Sequence, residues 1–417
     1  ARRREEDEEV EPIITTLLDT DYYKLTMGQL VFRKYARVPV RYTFINRTSA
    51  VNVADFVPTD ALRAELDRVR ELRFREEELT YLAGLSADGR RVFHDDYLDF
   101  LRGLILTPYE LRRRDGRCRL EFAGPWGTAI YWEIPALAIV NELYYRARTE
   151  DPEKHALVLE TGRRRLAEKI CRLRPYPGIK FADFGTRRRF SRNWQEEVLA
   201  AMKKELPGQF IGTSNVDLAR RLGVAPIGTF AHEMYMVMSG VRHDTEEGIR
   251  NSHHEVLRDW WEMYGAGLST ALADNYGTDF FFRDFRPDQA AAWRALRQDS
   301  GDPVAFGEKA IAFYEGLGID PREKTVVFSD GLEVDQIIML YRRFSGRINT
   351  AFGWGTNLTN DLGLTPLSLI IKATEANGHG TVKLSDNPAK ALGRAEDVAR
   401  FQRIFGHQPG EYRECRY

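Results

Sequence analysis

Between Gly178 and Asn357 the sequence repeats one kind of unit: a short apolar run that stops at a polar or glycine-containing end and passes into a helix-forming stretch. The ends read Ala182-Asp-Phe-Gly-Thr-Arg, Gly212-Thr-Ser-Asn, Thr229-Phe-Ala-His-Glu, Ala273-Asp-Asn-Tyr-Gly-Thr, Arg297-Gln-Asp-Ser-Gly-Asp, Ser329-Asp-Gly and Gly353-Trp-Gly-Thr-Asn. Recurrence in that order predicts parallel strands, and the number of units predicts an irregular α/β barrel rather than an open sheet. The strand ends of such a fold share one rim, where loops and helix N-termini offer free backbone N–H groups to ligands.

The chain before Gly178 follows other patterns. Val38 to Arg47 alternates as a strand, residues 61–83 and 95–103 read as charged surface helices, and Leu104 to Phe122 reads as two strands about an Asp115-Gly116 turn. Glu133 to Tyr145 is an apolar helix with Pro135 in its first turn, and Asp151-Pro152 opens a long helix that Pro175-Tyr-Pro-Gly ends. The 417 residues therefore divide into a tail at 1–12 expected to be disordered, an α+β domain at 13–150, a linking helix at 151–177, the barrel at 178–385 and an extension at 386–417. Leu367 to Leu384 reads as two strands around Asn377-Gly-His-Gly, a hairpin that either closes the barrel or returns to the first domain.

A formal net charge of −1 gives no bulk attraction to nucleic acid or a membrane surface, and no apolar run is long enough for a membrane span. Cys118, Cys171 and Cys415 are odd in number and lack metal or redox spacing, which points to a reducing cytoplasm. There is no Gly-x-x-x-x-Gly-Lys-Ser/Thr loop, and Gly353-Trp-Gly lacks the third glycine of a dinucleotide fingerprint. His232-Glu233 has no second histidine at zincin spacing, and His253-His254-Glu255 is expected on a solvated helix face.

What the rim offers is a mixture of Asp183, Asp274, Asp299, Asp302 and Asp330 with Arg187, Arg188 and Arg297, plus three glycine-containing loops. Carboxylates hold ribose hydroxyls or Mg²⁺, and turned backbone N–H groups hold phosphate, so the implied ligand is a phosphorylated sugar. His232, read as the end of a strand, is either a buried structural imidazole or a nucleophile oriented by Glu233 or another carboxylate.

With Asp19-Thr-Asp-Tyr-Tyr-Lys, Ala182-Asp-Phe-Gly-Thr-Arg-Arg, Gly212-Thr-Ser-Asn, Ala231-His-Glu, Asp299-Ser-Gly-Asp-Pro, Phe328-Ser-Asp-Gly, Gly355-Thr-Asn-Leu and Lys383-Leu-Ser-Asp in this order, the chain resembles the nicotinate phosphoribosyltransferases, relatives of the nicotinamide and quinolinate enzymes. The resemblance implies synthesis of nicotinate mononucleotide from nicotinate and 5-phosphoribosyl 1-pyrophosphate, with ATP and Mg²⁺, in a homodimer with shared sites. It implies that Phe184 stacks on the pyridine ring, that Tyr23 of a second subunit covers the other face, and that Arg297 meets the ring's carboxylate. Asp274, Asp299, Asp330, Gly331, Gly355 and Thr356 fall near ribose or phosphates, Arg187 near phosphates, and Ser214 and Thr229 among the substrate-binding positions. His232 matches a histidine phosphorylated by ATP, and the run Arg187-Arg188-Arg189 leaves open which guanidinium faces the ligand. No protein ligand set for a metal is implied. The competing readings are a nicotinamide or quinolinate enzyme and a catalytically silent nucleotide sensor on the same barrel.

Overall fold

The computed structural model describes residues 11–414, so the expected tail lies almost wholly outside the described residues; ordered packing is in place by Ile13 and Ile14, both buried. In chain order the strands are β1 (Pro39–Asn46), β2 (Ser86–Ala87), β3 (Arg90–Arg91), β4 (Tyr109–Arg114), β5 (Arg117–Pro125), β6 (Phe181–Asp183), β7 (Phe210–Thr213), β8 (Thr270–Leu272), β9 (Ala295–Gln298), β10 (Thr325–Phe328), β11 (Asn349–Trp354), β12 (Leu369–Ala376) and β13 (His379–Gly380). They form a five-stranded antiparallel sheet, β13-β12-β1-β5-β4, a six-stranded parallel sheet, β7-β6-β11-β10-β9-β8, and the small pair β2-β3.

The first sheet is made by two hairpins whose turns are Asp115-Gly116 and Asn377-Gly378, all four residues at positive φ, as a two-residue turn matched to strand twist requires. The second hairpin begins with β12, which pairs along β1 from Val40 opposite Ala376 to Asn46 opposite Leu369. The hairpin after the barrel thus returns to the N-terminal sheet. This choice was beyond a sequence pattern, since the apolar run Leu369-Ile-Ile would fit either sheet.

The α/β expectation holds in the second sheet, where every pairing is parallel and the strands run only three to six residues. Short strands suffice because each is largely buried and is joined to the next through packed helices. The linking helix and two crossover helices start where sequence chemistry asks: Asp151 caps Pro152–Leu173, Ser191 caps Arg192–Glu205, and Asp302 caps Pro303–Gly316. The sheet is irregular because β7 and β8 do not pair with each other, yet residues following β6 and β7 line one cavity together with residues of β8, β9 and β10.

One segment departs from the strand pattern. Val224 to Ala231 contributes only an isolated bridge, Thr213 with Pro226, and is otherwise irregular. Pro226 has no N–H to donate and Gly228 sits at φ 156°, so this stretch cannot extend a ladder despite its apolar composition. His232 consequently begins a helix, His232–Val241, rather than ending a strand.

His253, expected on a solvated face, is buried: its ring stacks on Tyr235 at 4.8 Å and meets Phe280 and Phe281 edge-on. His254 faces Asp284 at 2.8 Å. The charged neighbours in sequence hid this because they occupy the helix's other side.

The two sheets are locked by charge as well as by apolar packing. Asp19 and Arg189 form a fully buried bidentate pair at 2.7 Å, with Asn215 on the same carboxylate. Burial alone would raise the Asp19 pKa, but Arg189 and Arg192 together hold it below the ordinary value. Arg189→Leu, which leaves the carboxylate buried without its cation, is expected to lower stability by about 3–5 kcal/mol. The check is a reduced urea midpoint at an unchanged m value. Because the folded pKa is the lower one, this contribution is complete above the unfolded value near ~3.9 and fades as pH falls through the folded pKa, so wild type and variant should converge in acid.

Candidate functional site

Parallel pairing puts the carboxyl ends of all six strands on one edge, and the five rim carboxylates separate there by role. Asp183 is buried and accepts from Thr213 Oγ1 at 2.6 Å, Gln195 Nε2 at 2.8 Å and the Gly185 N–H at 2.8 Å, so it ties strand ends together. Asp302 accepts from the Ala305 N–H at 2.8 Å and is spent as a helix cap. Asp299 and Asp330 face a cavity.

Asp274 does not line that cavity; it stands behind it, 1% exposed, with Oδ1 at 2.8 Å from His232 Nε2 and Oδ2 accepting from Ser300. It is therefore a positioning residue for the imidazole. Glu233, the adjacent candidate for that task, points elsewhere, into a buried group with Lys24, Tyr42 and Trp126. His232 is buried and lines the cavity. Burial and the positive charge of Lys383 lower its pKa to about 4 against the pull of Asp274. The ring is neutral near pH 7; with its Nε2–H given to Asp274, Nδ1 keeps its lone pair.

Two cavities meet at this rim. The polar one, about 100 Å³, is lined by seven cationic side chains, Arg47, Arg187, Arg188, Arg297, Lys372, Lys383 and Lys390, against the two carboxylates Asp299 and Asp330. Ser329, Gly331, Gly355 and Thr356 also line it, and Gly331 at φ 58° makes the turn after β10. Asp299 accepts from Arg297 Nη2 at 3.2 Å and Ser329 Oγ at 3.0 Å. Although burial opposes it, Arg297, Lys390, His232 and Lys383 hold its carboxyl well below the ordinary range. Lys390 reaches both the Asp299 carbonyl, at 2.7 Å, and the Asp330 carboxylate.

The second cavity, about 350 Å³, has Ala225, Pro226, Ile227 and Leu268 as its apolar wall, with Asp21, Ser214 and Thr229 at its edge. Tyr23, Phe184, Arg187 and Arg297 line both cavities and so mark their junction. Arg297 lies over the Phe184 ring at 5.6 Å. A side chain at Gly353 would meet Phe184 Cδ2 at 2.4 Å, so glycine there leaves the room for the aromatic.

The arginine run is resolved by burial. Arg187 and Arg188 line the polar cavity, whereas Arg189 is committed to Asp19. The chain's own Tyr23 stands beside Phe184 at the junction, the position that the resemblance gives to a tyrosine of a second subunit. Its segment is tethered to its own barrel, since the Tyr22 N–H donates to the Ser214 carbonyl at 2.7 Å and Ser214 Oγ donates to Asp21 at 2.7 Å. Within one chain, residues of both domains therefore line the junction.

Several functional groups escaped the sequence reading. Glu133 sits beneath the junction and gathers Lys24 at 2.7 Å, Lys372 at 2.9 Å, Arg187 at 3.4 Å and the Tyr23 hydroxyl at 3.3 Å. Lys372 had a visible signal: a lysine inside the apolar run Leu369-Ile-Ile-Lys-Ala, on a strand buried along most of its length, must find a carboxylate or a ligand. Arg47 and Glu133 had none, because only the return of β12 to β1 brings that sheet over the barrel rim.

Comparison with known proteins adds the following. The model of the nicotinate phosphoribosyltransferase (NAPRTase) family matches residues 179–408, and that of the family's N-terminal domain matches residues 18–141. The structure is similar to that of nicotinate phosphoribosyltransferase from Vibrio cholerae, with 34% identity, a TM-score of 0.86 and coverage of 96% of this chain and 95% of the other. It is also similar to the Porphyromonas gingivalis enzyme, at 31% identity, TM-score 0.85 and coverage of 95% and 100%. A putative nicotinate phosphoribosyltransferase from Saccharomyces cerevisiae matches at 30% identity, TM-score 0.84 and coverage of 95% and 99%.

Proposed function

The chain belongs to the nicotinate phosphoribosyltransferase family, and from that footing we propose how its site makes nicotinate mononucleotide from nicotinate and 5-phosphoribosyl 1-pyrophosphate. The observation that carries the reading is the seven-cation cavity joined, through Tyr23, Phe184, Arg187 and Arg297, to a flat apolar one. A chain of net charge −1 that concentrates cations in this way is built for a polyanion such as a pyrophosphorylated sugar phosphate.

Breaking the bond between anomeric carbon and pyrophosphate builds positive charge on ribose and negative charge on the leaving group. Asp299 and Asp330 serve the first and the lysines and arginines the second. The pyridine ring lies at the junction between Phe184 and Tyr23, its nitrogen toward the ribose and its carboxylate toward Arg297. Asp299 and Asp330 are the oxygen donors that would hold a Mg²⁺ ion, which would supply neutralisation of phosphate charge. His232, oriented by Asp274 through Nε2, takes the γ-phosphoryl group of ATP on Nδ1: the N–P bond forms as the bond from the γ-phosphorus to the β–γ bridging oxygen breaks, and ADP leaves. We place the reaction in the cytoplasm; among the described residues no helix is long and apolar enough to cross a membrane.

Product analysis with nicotinate, nicotinamide and quinolinate offered separately tests the assignment. Nicotinate mononucleotide is expected as the main product; no product from any of the three would favour the silent sensor. Ser214 lines the ring's cavity as a neutral residue. An added carboxylate there would repel the acid by roughly 1–4 kcal/mol at about 4 Å. Ser214→Asp is therefore expected to lower kcat/KM for nicotinate by about tenfold or more, with little loss for nicotinamide; an equal effect on both would refute the electrostatic account.

A further inference from the structure

Asp21 holds the N-cap position of the helix Tyr22–Lys34 but makes no capping bond with its side chain. Aspartate at that position ordinarily accepts from an N–H of the first turn. Here the carboxylate is turned into the barrel, 2% exposed, where Oδ1 accepts from Ser214 Oγ at 2.7 Å, and both residues line the apolar cavity. No lysine, arginine or histidine among the described residues stands within 4.0 Å of it as an ion-pair partner; the two arginines that line the cavity, Arg187 and Arg297, pair with Glu133 and Asp299 instead. A buried carboxylate bonded to hydroxyls and with no cation at ion-pair distance, on the wall of a cavity for an anionic acid, is an electrostatic conflict unless it carries a proton.

Resting on the function proposed above, we infer that Asp21 is a specificity-determining residue of the pyridine subsite, protonated when the acid is bound, so that Asp21, held through Oδ1 by Ser214, presents a hydroxyl donor rather than a second negative charge. The balance is simple: one proton from solvent joins the Asp21 carboxylate as the anionic acid enters, and it leaves with the product. Burial is the largest influence on the Asp21 pKa and pushes it up to about 6; the Ser214 and Thr186 hydroxyls and the Arg187 charge oppose this, and Asp183 adds to it. Tyr23 and Arg189 also face Asp21, and Arg189 is already neutralised by Asp19.

Calorimetric titration of nicotinate at pH 7.5, in two buffers of different ionisation enthalpy, reads this directly. Uptake approaching one proton per nicotinate is expected in the wild type, and close to none in Asp21→Asn or with nicotinamide as ligand. In parallel, kcat/KM for nicotinate should fall about tenfold per pH unit above the Asp21 pKa, a slope that Asp21→Asn removes. That variant also separates Asp21 from Lys383, whose pKa burial lowers to about 8 and which would remain to titrate. Nicotinate binding without proton uptake by the wild type, or the same uptake in Asp21→Asn, overturns this inference and leaves the proposed reaction standing. If nicotinate neither binds nor yields product, the proposed reaction falls with it. Should Asp21→Asn fail to fold, the infrared difference spectrum of the wild type decides: a protonated-carboxyl C=O band that appears on nicotinate binding supports the inference, and proton uptake without that band overturns it.

Discussion

Incubated with γ-labelled ATP and Mg²⁺, the protein is expected to acquire an acid-labile, base-stable label on His232, and His232→Asn is expected to acquire none. The variant should also lose ATP stimulation while retaining slow, ATP-independent transfer. The geometry behind this is the pairing of Nε2 with Asp274 at 2.8 Å, which fixes the tautomer and aims the ring from behind. A pKa near 4 keeps the imidazole unprotonated, hence nucleophilic, at any pH where the enzyme would work. The lysines on the same wall supply the positive charge that an incoming phosphoryl group requires. A phosphohistidine there would add about 1.5 to 2 negative charges beside the proposed pyrophosphate site, which would change the affinities of substrate and product and so let ATP hydrolysis drive synthesis. Asp274→Asn should slow labelling sharply without removing the acceptor, since it weakens orientation and leaves the histidine in place. Label persisting in His232→Asn, or full ATP stimulation without the imidazole, would return His232 to a structural role.

Mixing Tyr23→Ala and Asp299→Ala proteins is expected to restore no activity. Each variant should be severely impaired alone. Asp299 is a carboxylate held ionised at the polar cavity, and removing an electrostatic group of that kind costs on the order of 10²–10³ in kcat. Tyr23 supplies one wall of the junction, and its loss should appear mainly in KM for nicotinate. Were the site shared between subunits, a mixed dimer would hold one undamaged copy and part of the activity would return. In the structure Tyr23, Phe184, Asp299 and Arg297 line one polar cavity within one chain, so every mixed assembly still holds only damaged sites. Recovery of activity on mixing, with exchange of chains demonstrated independently, would reverse this conclusion.

The parallel sheet was legible because its strands are short, apolar and regularly followed by turn and cap residues, a pattern local enough to survive without tertiary context. Ser329-Asp330-Gly331 and Asp299 were legible for the same reason: in a parallel sheet, the end of a strand is a place in space as well as in sequence. His232 was found for a partly mistaken reason. The apolar stretch before it looks like a strand, but Pro226 and Gly228 prevent ladder pairing, and the histidine reaches the rim from the first turn of a helix instead.

The sequence by itself determined the α/β class, the rim as the location of the chemistry, the polar types gathered there and, through ordered motifs, the family. Only the tertiary structure decided which of those groups act and which merely hold. Asp183 and Asp302 bond their own strand and helix ends, Asp274 stands behind His232, and Arg189 is consumed by Asp19. It also decided that β12 pairs with β1, carrying Lys372 toward Glu133 and setting the first domain's Tyr23 and Arg47 over the barrel rim. The physical reason is that strand and cap signals arise from neighbours in sequence, whereas many ion pairs and cavity walls join residues distant in it, as Asp19 and Arg189 do across 170 positions. A carboxylate's role is set by which partner reaches it first, and that is a property of packing.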